Sequence, residues 1–228
     1  MPTPAPRSSM RERFREQVRE DVKATALDQL AEGGPQAISI NAIAKHLGVS
    51  GGGLYRYFAS RDDLLTALVI DAYEDLHDAM AQKLGSEAAD RTPEEHFRTL
   101  ARSYRSWALA EPHRYELLFK PPVPGYDAHA ESLATAARSL MVILLGVLAE
   151  FGREDAAEPA PYQEDDVLAA RTVGSSEFRL AVAVWSCVHG IVSLELGGGL
   201  SAMTVEVDSL FEYEIELLIE RIERDHRD

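Results

Sequence analysis

Cysteine is almost missing from this 228-residue chain, which has one, Cys187. No intramolecular disulfide can form, and a four-cysteine zinc site is excluded. A lone thiol fits a reducing compartment. Long apolar runs are missing as well. No stretch reaches the roughly 18 uninterrupted apolar residues of a spanning helix, and the longest candidate, Leu140 to Leu148, is far shorter. The start, Met1-Pro2-Thr3-Pro4-Ala5-Pro6-Arg7, is not followed by an apolar signal core. These absences point to a cytoplasmic protein with no membrane partner. Strand signals are nearly absent, since no period-two run is bounded by hairpin turns. Basic residues are short: 23 Lys/Arg face 38 Asp/Glu, for a net charge of −15. Taken whole, that balance opposes nucleic-acid binding. With 46% hydrophobic residues, the chain is too apolar for disorder and long enough for one large domain or two small ones.

The charge is uneven. Residues 1–63 hold nine Lys/Arg and eight Asp/Glu, and residues 64–228 hold 14 and 30. A near-neutral island sits on an acidic body, so the two segments need separate readings.

Apolar spacing predicts an all-α chain of about nine helices. Residues 1–10 read as a disordered arm. Phe14, Val18, Val22, Leu27, Leu30 and Ala31 stripe a first helix, which Gly33-Gly34-Pro35 ends. Ser39 caps a helix to Leu47, Ser50 one to about Phe58, and Ser60, with Asp63 at the capping-box position, a long one to about Leu84. Thr92 and Glu95 form another capping box, and that helix runs to about Ala110. A short helix from Glu111-Pro112 to Phe119 precedes Pro121, Pro122 and Pro124. Further helices cover about Ala128 to Phe151, Glu177 to Leu196 and Val205 to Arg224. Residues 152–176 read as a mobile acidic loop.

The informative stretch is Ser39 to Phe58. Ala44, Gly48 and Leu54 carry the spacing of a helix-turn-helix. Ala44 is small where a second helix crosses, Gly48 suits a turn needing positive φ, and Leu54 fills the wedge with Ile43 and Leu47. The run Ile43-Ala44-(x)2-Leu47-Gly48-Val49-Ser50-(x)3-Leu54-Tyr55-x-Tyr57-Phe58-x-Ser60-Arg61-(x)2-Leu64-Leu65 resembles the DNA-binding region of the tetracycline-repressor family, over about residues 11–70. A second stretch, Trp185-Ser186-Cys187-Val188-His189-Gly190, is similar to a Trp…His-Gly signature in one C-terminal branch of that family. The resemblance implies a three-helix DNA-binding domain at 11–60, joined by a long helix to a ligand-binding and dimerisation domain at 61–228.

Candidate DNA contacts follow. The resemblance places Tyr55 and Tyr57 at phosphates, which position the protein without reading sequence. Packing in the small core is the other reading of Tyr55. Arg61 matches a position that is usually lysine and would meet a phosphate; a solvated surface arginine is the alternative. Ser39 is a cap or a cap plus phosphate contact, and Asn41 could reach a base edge or a phosphate. Arg56 could reach guanine. Ser50, Gly51, Gly52 and Gly53 open the reading helix. Glycine departs from the family pattern, which usually has a side chain such as threonine at the third glycine. Three glycines cost about 1 kcal/mol each relative to alanine and offer no side chain to bases. Either the backbone approaches the groove closely, or specificity is relaxed. Arg11 could reach a minor groove or pair along its own helix.

One helix-turn-helix reads a short half-site, and two must sit about one DNA turn (~34 Å) or more apart. A homodimer on a palindromic operator in double-stranded DNA is therefore expected. Trp185, Val188, His189, Val192, Phe211, Ile215, Leu218 and Ile222 are its candidate interface, with burial inside one subunit as the alternative. Tyr73, His77, Tyr104, Trp107, Phe119, Tyr126, His129, Met141 and Trp185 are candidate lining for a small-molecule effector site, supported by the resemblance; taken singly, each suits core packing. The favoured function is a repressor released by that effector, with activation the less common alternative. No cofactor or metal is expected. An enzyme is the rival reading, yet Cys187 and His189 diverge by about 200° on a helix, and no nucleophile elbow, phosphate loop or zinc-protease motif occurs. A helical interaction module leaves the Ser39–Arg61 register unexplained.

Overall fold

Serine and threonine caps begin the helices where the sequence offers them. The computed structural model describes residues 10–85, 91–119, 131–152 and 175–227. Among them are nine α-helices and no strand: α1 (Met10–Gly33), α2 (Ile40–His46), α3 (Gly51–Leu54), α4 (Arg61–Gly85), α5 (Pro93–Ala110), α6 (Pro112–Phe119), α7 (Glu131–Glu150), α8 (Ser176–Leu196) and α9 (Val207–Arg227). Thr92 and Glu95 form the full reciprocal box at the start of α5. At α4 the box is offset. The Asp63 amide donates to Ser60 Oγ at 3.0 Å, but its carboxylate takes the Ala59 amide at 2.9 Å. The loop expected at 152–176 lies almost wholly outside the described residues.

The chain divides into two compact units. One is Met1–Asp71 with His113–Ala128; the other is Ala72–Pro112 with His129–Asp228. The division falls within α4.

In the first unit, Val22, Ala26 and Leu30 of α1 are buried with Ile38, Ile40, Ile43, Ala44, Leu54, Phe58, Leu64 and Leu65. Each large apolar side chain so buried contributes about 1.5–3 kcal/mol. The α1 stripe differs from the expected one. Phe14 is 67% exposed, and Leu27 and Ala31 are not buried. Residues 10–17 are exposed on every side of the helix, so periodicity there has no packing to report.

In the second unit, α5 buries Phe97, Leu100, Tyr104 and Trp107, α7 Leu144, Leu145 and Leu148, and α8 Leu180, Val184, Val188 and Val192. From α9 come Phe211, Ile215, Leu218 and Ile222. This corrects the expected interface. Val188, Val192, Phe211, Ile215, Leu218 and Ile222 are all at most 7% exposed within the single chain. Their stripes are spent on packing between helices of one subunit. Stretches of α7 and α8 have mean hydropathies of 1.7 and 1.4, long and apolar enough to cross a membrane by composition alone. Polar and charged residues, Arg138 in α7 and Arg179 and Ser186 in α8, interrupt both, so neither holds an uninterrupted apolar run of that length. Both helices contribute to the buried core of this unit.

Three arginines at helical spacing on α5 face carboxylates on α8 and α9. Arg98 meets Glu216, Arg102 meets Glu212, and Arg105 meets Glu195, each through two hydrogen bonds of 2.7–2.9 Å. Arg105 also meets Asp208 at 2.5 Å and lies 4.9 Å from the centroid of the Phe211 ring.

Candidate nucleic-acid interface

The reading head is built from α2, a glycine turn and α3. Ser39 Oγ accepts the Ala42 amide at 3.3 Å, and the Ser39 amide donates to Gln29 Oε1 on α1 at 2.9 Å. Gly48 turns the chain with φ of +68°, and a Cβ there would touch nothing. The demand at Gly48 is conformational rather than steric, as the spacing predicts. Ser50 Oγ accepts the Gly53 amide at 3.1 Å and starts α3.

The expected helix to Phe58 is corrected. α3 is one turn, Gly51–Leu54, and residues 55–57 form turns. Glycine is a poor helix former, and the carbonyls that follow are drawn elsewhere. Arg19 Nη1 donates to the Tyr57 carbonyl at 2.7 Å, and its guanidinium lies 4.4 Å from the Phe58 ring centroid. Arg15 Nη2 reaches the Arg56 carbonyl at 3.5 Å. Two α1 arginines thus hold the far end of the reading turn.

Arg61 is a second correction. Instead of pointing out to a phosphate, its guanidinium donates to the carbonyls of Ile38, at 3.0 Å, and Pro35. It fastens the start of α4 to the segment entering α2. Outward are Asn41, Gly52 and Arg56, all exposed, and Tyr55, 48% exposed. Gly51, Gly53 and Tyr57 are half-buried, while Leu54 is 1% exposed and serves the core. Arg11 is exposed in the first turn of α1. Neither Arg19 nor Gln29 is legible from local sequence. Both act through contacts at sequence separations of 38 and 10, and no local pattern encodes such contacts.

The candidate effector residues do not form one cluster. Tyr104 Oη and His189 Nδ1 are 3.0 Å apart, and the His189 ring stacks on Trp185 at 5.1 Å. Burial pushes the His189 pKa down. The Trp107 indole donates to Asp75 Oδ2 at 2.8 Å, an acceptor that sequence reading missed. Tyr73, His77 and Met141 are half-buried, with His77 beside Asp78 at 3.2 Å. Phe119 belongs to the first unit and packs on Tyr115 at 4.8 Å. Tyr126 and His129 lie outside the described residues. Among those residues no group of three or more His, Cys, Asp or Glu side chains could hold a metal.

The sequence of the head matches known proteins. Residues 24–68 match the bacterial regulatory proteins of the tetR family, and residues 97–218 match the tetracycline-repressor-like C-terminal domain. The chain belongs to the tetR family. An HTH-type transcriptional regulator of Mycobacterium bovis is 31% identical over 216 residues, covering 90% of this chain and 92% of the relative. Another, from Mycobacterium tuberculosis, is 28% identical over 193 residues, covering 85% and 76%. The crystal structure of SCO4313, a protein assigned as regulatory, superposes with a TM-score of 0.75 at 35% identity, covering 95% of this chain and all of that one. The fold is also that of the FadR regulator from Bacillus subtilis, crystallised with stearoyl-CoA, at 16% identity, a TM-score of 0.58 and coverage of 87% and 96%. As a tetR-family member this chain is a DNA-binding transcriptional regulator and not an enzyme.

Proposed function

We propose that the chain acts in the cytoplasm as a homodimeric repressor on a palindromic operator and is released by a small-molecule effector. The observation that carries this reading is the outward face of α8 and α9. Ser186, Gly190 and Ser193 recur at helical spacing on α8, and a Cβ on Gly190 would meet open space. On α9, Tyr213 and Leu217 are 61% and 40% exposed, one turn apart. Trp185, 37% exposed, and half-buried His189 flank the face. Small residues on α8 with exposed apolar side chains on α8 and α9 fit a second copy about a two-fold axis.

DNA would meet Tyr55, Tyr57, Arg56, Asn41, Ser39, Arg11 and the turn from Ser50 through Gly53. Arg61 and Arg19 would position rather than touch. The acidic body limits nonspecific attraction, so the near-neutral head docks first. The effector site would use His189 with Tyr104 and Trp185, which both contact it, and Trp107, Tyr73, His77 and Met141 as further candidates. An effector lowers operator affinity only if it prefers the DNA-incompetent state.

Sedimentation equilibrium of the full chain, alone and with duplex from the region flanking its own gene, tests this. Two copies per duplex, with Gly190→Arg sedimenting as monomer and losing specific binding, is the expected result. A monomeric wild type that binds the duplex one to one overturns it.

A further inference from the structure

The reading helix has no reading side chain. α3 consists of Gly51, Gly52, Gly53 and Leu54, and Leu54 is buried in the core. Base-specific hydrogen bonds therefore have to come from a neighbour or from the backbone. Asn41 is one such neighbour. It stands in the first turn of α2 and is exposed. Its Oδ1 lies 3.1 Å from where a Cβ on Gly51 would be. The carboxamide rests beside the first residue of α3, close enough that a side chain at position 51 would displace it by a few tenths of an ångström. Gly52 next to it is open, with nothing within 4 Å of its Cβ position. The glycine run thus clears room for a side chain from the preceding helix and lets the backbone come close to the groove.

Resting on the proposed binding mode, we infer that Asn41 is a specificity-determining residue of the head, reading an adenine in each half-site across the bare turn of α3. Asparagine suits this task, because its carboxamide pairs in two bonds with adenine N6 and N7 in the major groove. Ser39 caps α2 from the residue-39 side chain, and Gln29 holds the Ser39 amide. The helix carrying Asn41 is therefore fixed at the end that matters. Tyr55 and Arg56 flank the turn and supply contacts that are not tied to Asn41.

Selection of binding sites from random duplex DNA by the full chain tests the assignment, followed by affinity measurements on single-base variants of the selected site. The wild type is expected to yield a dyad motif containing one adenine per half-site whose replacement weakens binding roughly tenfold or more. Asn41→Ala is expected to lose discrimination at that position alone and keep the rest of the motif. Asn41→Arg is expected to shift the preference there from adenine to guanine. Gly51→Ala, which crowds the carboxamide, is expected to blur the same position. Thermal melts confirm that each variant is folded. A wild-type motif that Asn41→Ala and Asn41→Arg leave unchanged overturns the inference and spares the proposed function. A uniform loss of affinity across all sequences also overturns it, by making Asn41 a phosphate contact. Absence of any wild-type motif overturns both.

Discussion

Arginine is used in opposite ways in the two units. In the head, Arg19 and Arg61 donate to main-chain carbonyls of Tyr57, Ile38 and Pro35, holding turns in place without cancelling charge. In the body, Arg98, Arg102 and Arg105 are paired with carboxylates. The head is near-neutral, with nine Lys/Arg against eight Asp/Glu over residues 1–63, and the body spends these arginines on cross-helix bonds while staying strongly acidic. This contrast suits a DNA-binding regulator, because the acidic body repels phosphates more strongly than the near-neutral head does.

The sharpest way to break the comparison is at Arg105. It and Glu195 are 14% and 16% exposed. Arg105→Met leaves the Glu195 carboxylate buried without its partner and should cost about 3 kcal/mol of unfolding free energy. The equivalent change at Arg102, whose pair is 55% and 42% exposed, should cost at most about 0.5 kcal/mol. Denaturant titrations of the two variants measure both. Equal losses would mean that burial does not set the worth of the ladder.

In the head, Arg19→Ala removes a charge-assisted bond and a cation–π contact. It should destabilise the reading turn by about 2 kcal/mol. Hydrogen exchange of amides 54–58 should accelerate while body amides keep their protection. Global acceleration would instead place Arg19 in a single cooperative core.

The glycines separate conformation from packing. Gly48→Ala forces a side chain into φ of +68° and should cost about 1 kcal/mol. Gly52→Ala, with open space around it, should gain up to about 1 kcal/mol from helix propensity. Melting temperatures should therefore move in opposite directions. A shared direction would put the cause in contacts rather than backbone.

The smallest effect is a pH dependence of the body. Burial favours neutral His189, so its pKa in the folded chain lies below the ordinary 6.5. Between those values the unfolded chain binds the extra proton, and stability falls as pH drops through about 6.5. His189→Gln should flatten part of that slope. An unchanged slope would assign it to other histidines.

Local signals were legible and distant ones were not. Ser39, Ser50, Ser60 and the Thr92–Glu95 box mark helix starts because a cap is a contact within three residues. Gly48 was legible because a turn of that hand favours glycine. The facing of the α8 and α9 stripes was not. Val188 and Phe211 are apolar whether they meet their own chain or another, and periodicity names a face without naming its partner. Arg61 is ambiguous in the sequence for a related reason. A long side chain at a helix start can turn outward to phosphate or inward to a carbonyl. The acceptors at Ile38 and Pro35 exist only once the chain has folded. The motif's register extends α3 to about Phe58, but three glycines argue against a helix of that length, and α3 ends after one turn.

The most direct measurement is a footprint of the full chain on DNA flanking its own gene, at stated salt. The account predicts a protected region with dyad symmetry and two half-sites. Protection should persist in Arg102→Met and be lost in Arg19→Ala. Protection that survives Arg19→Ala unchanged, or its absence for the wild type even on DNA selected from random sequence, would contradict the claim that a clamped glycine turn in the head reads DNA.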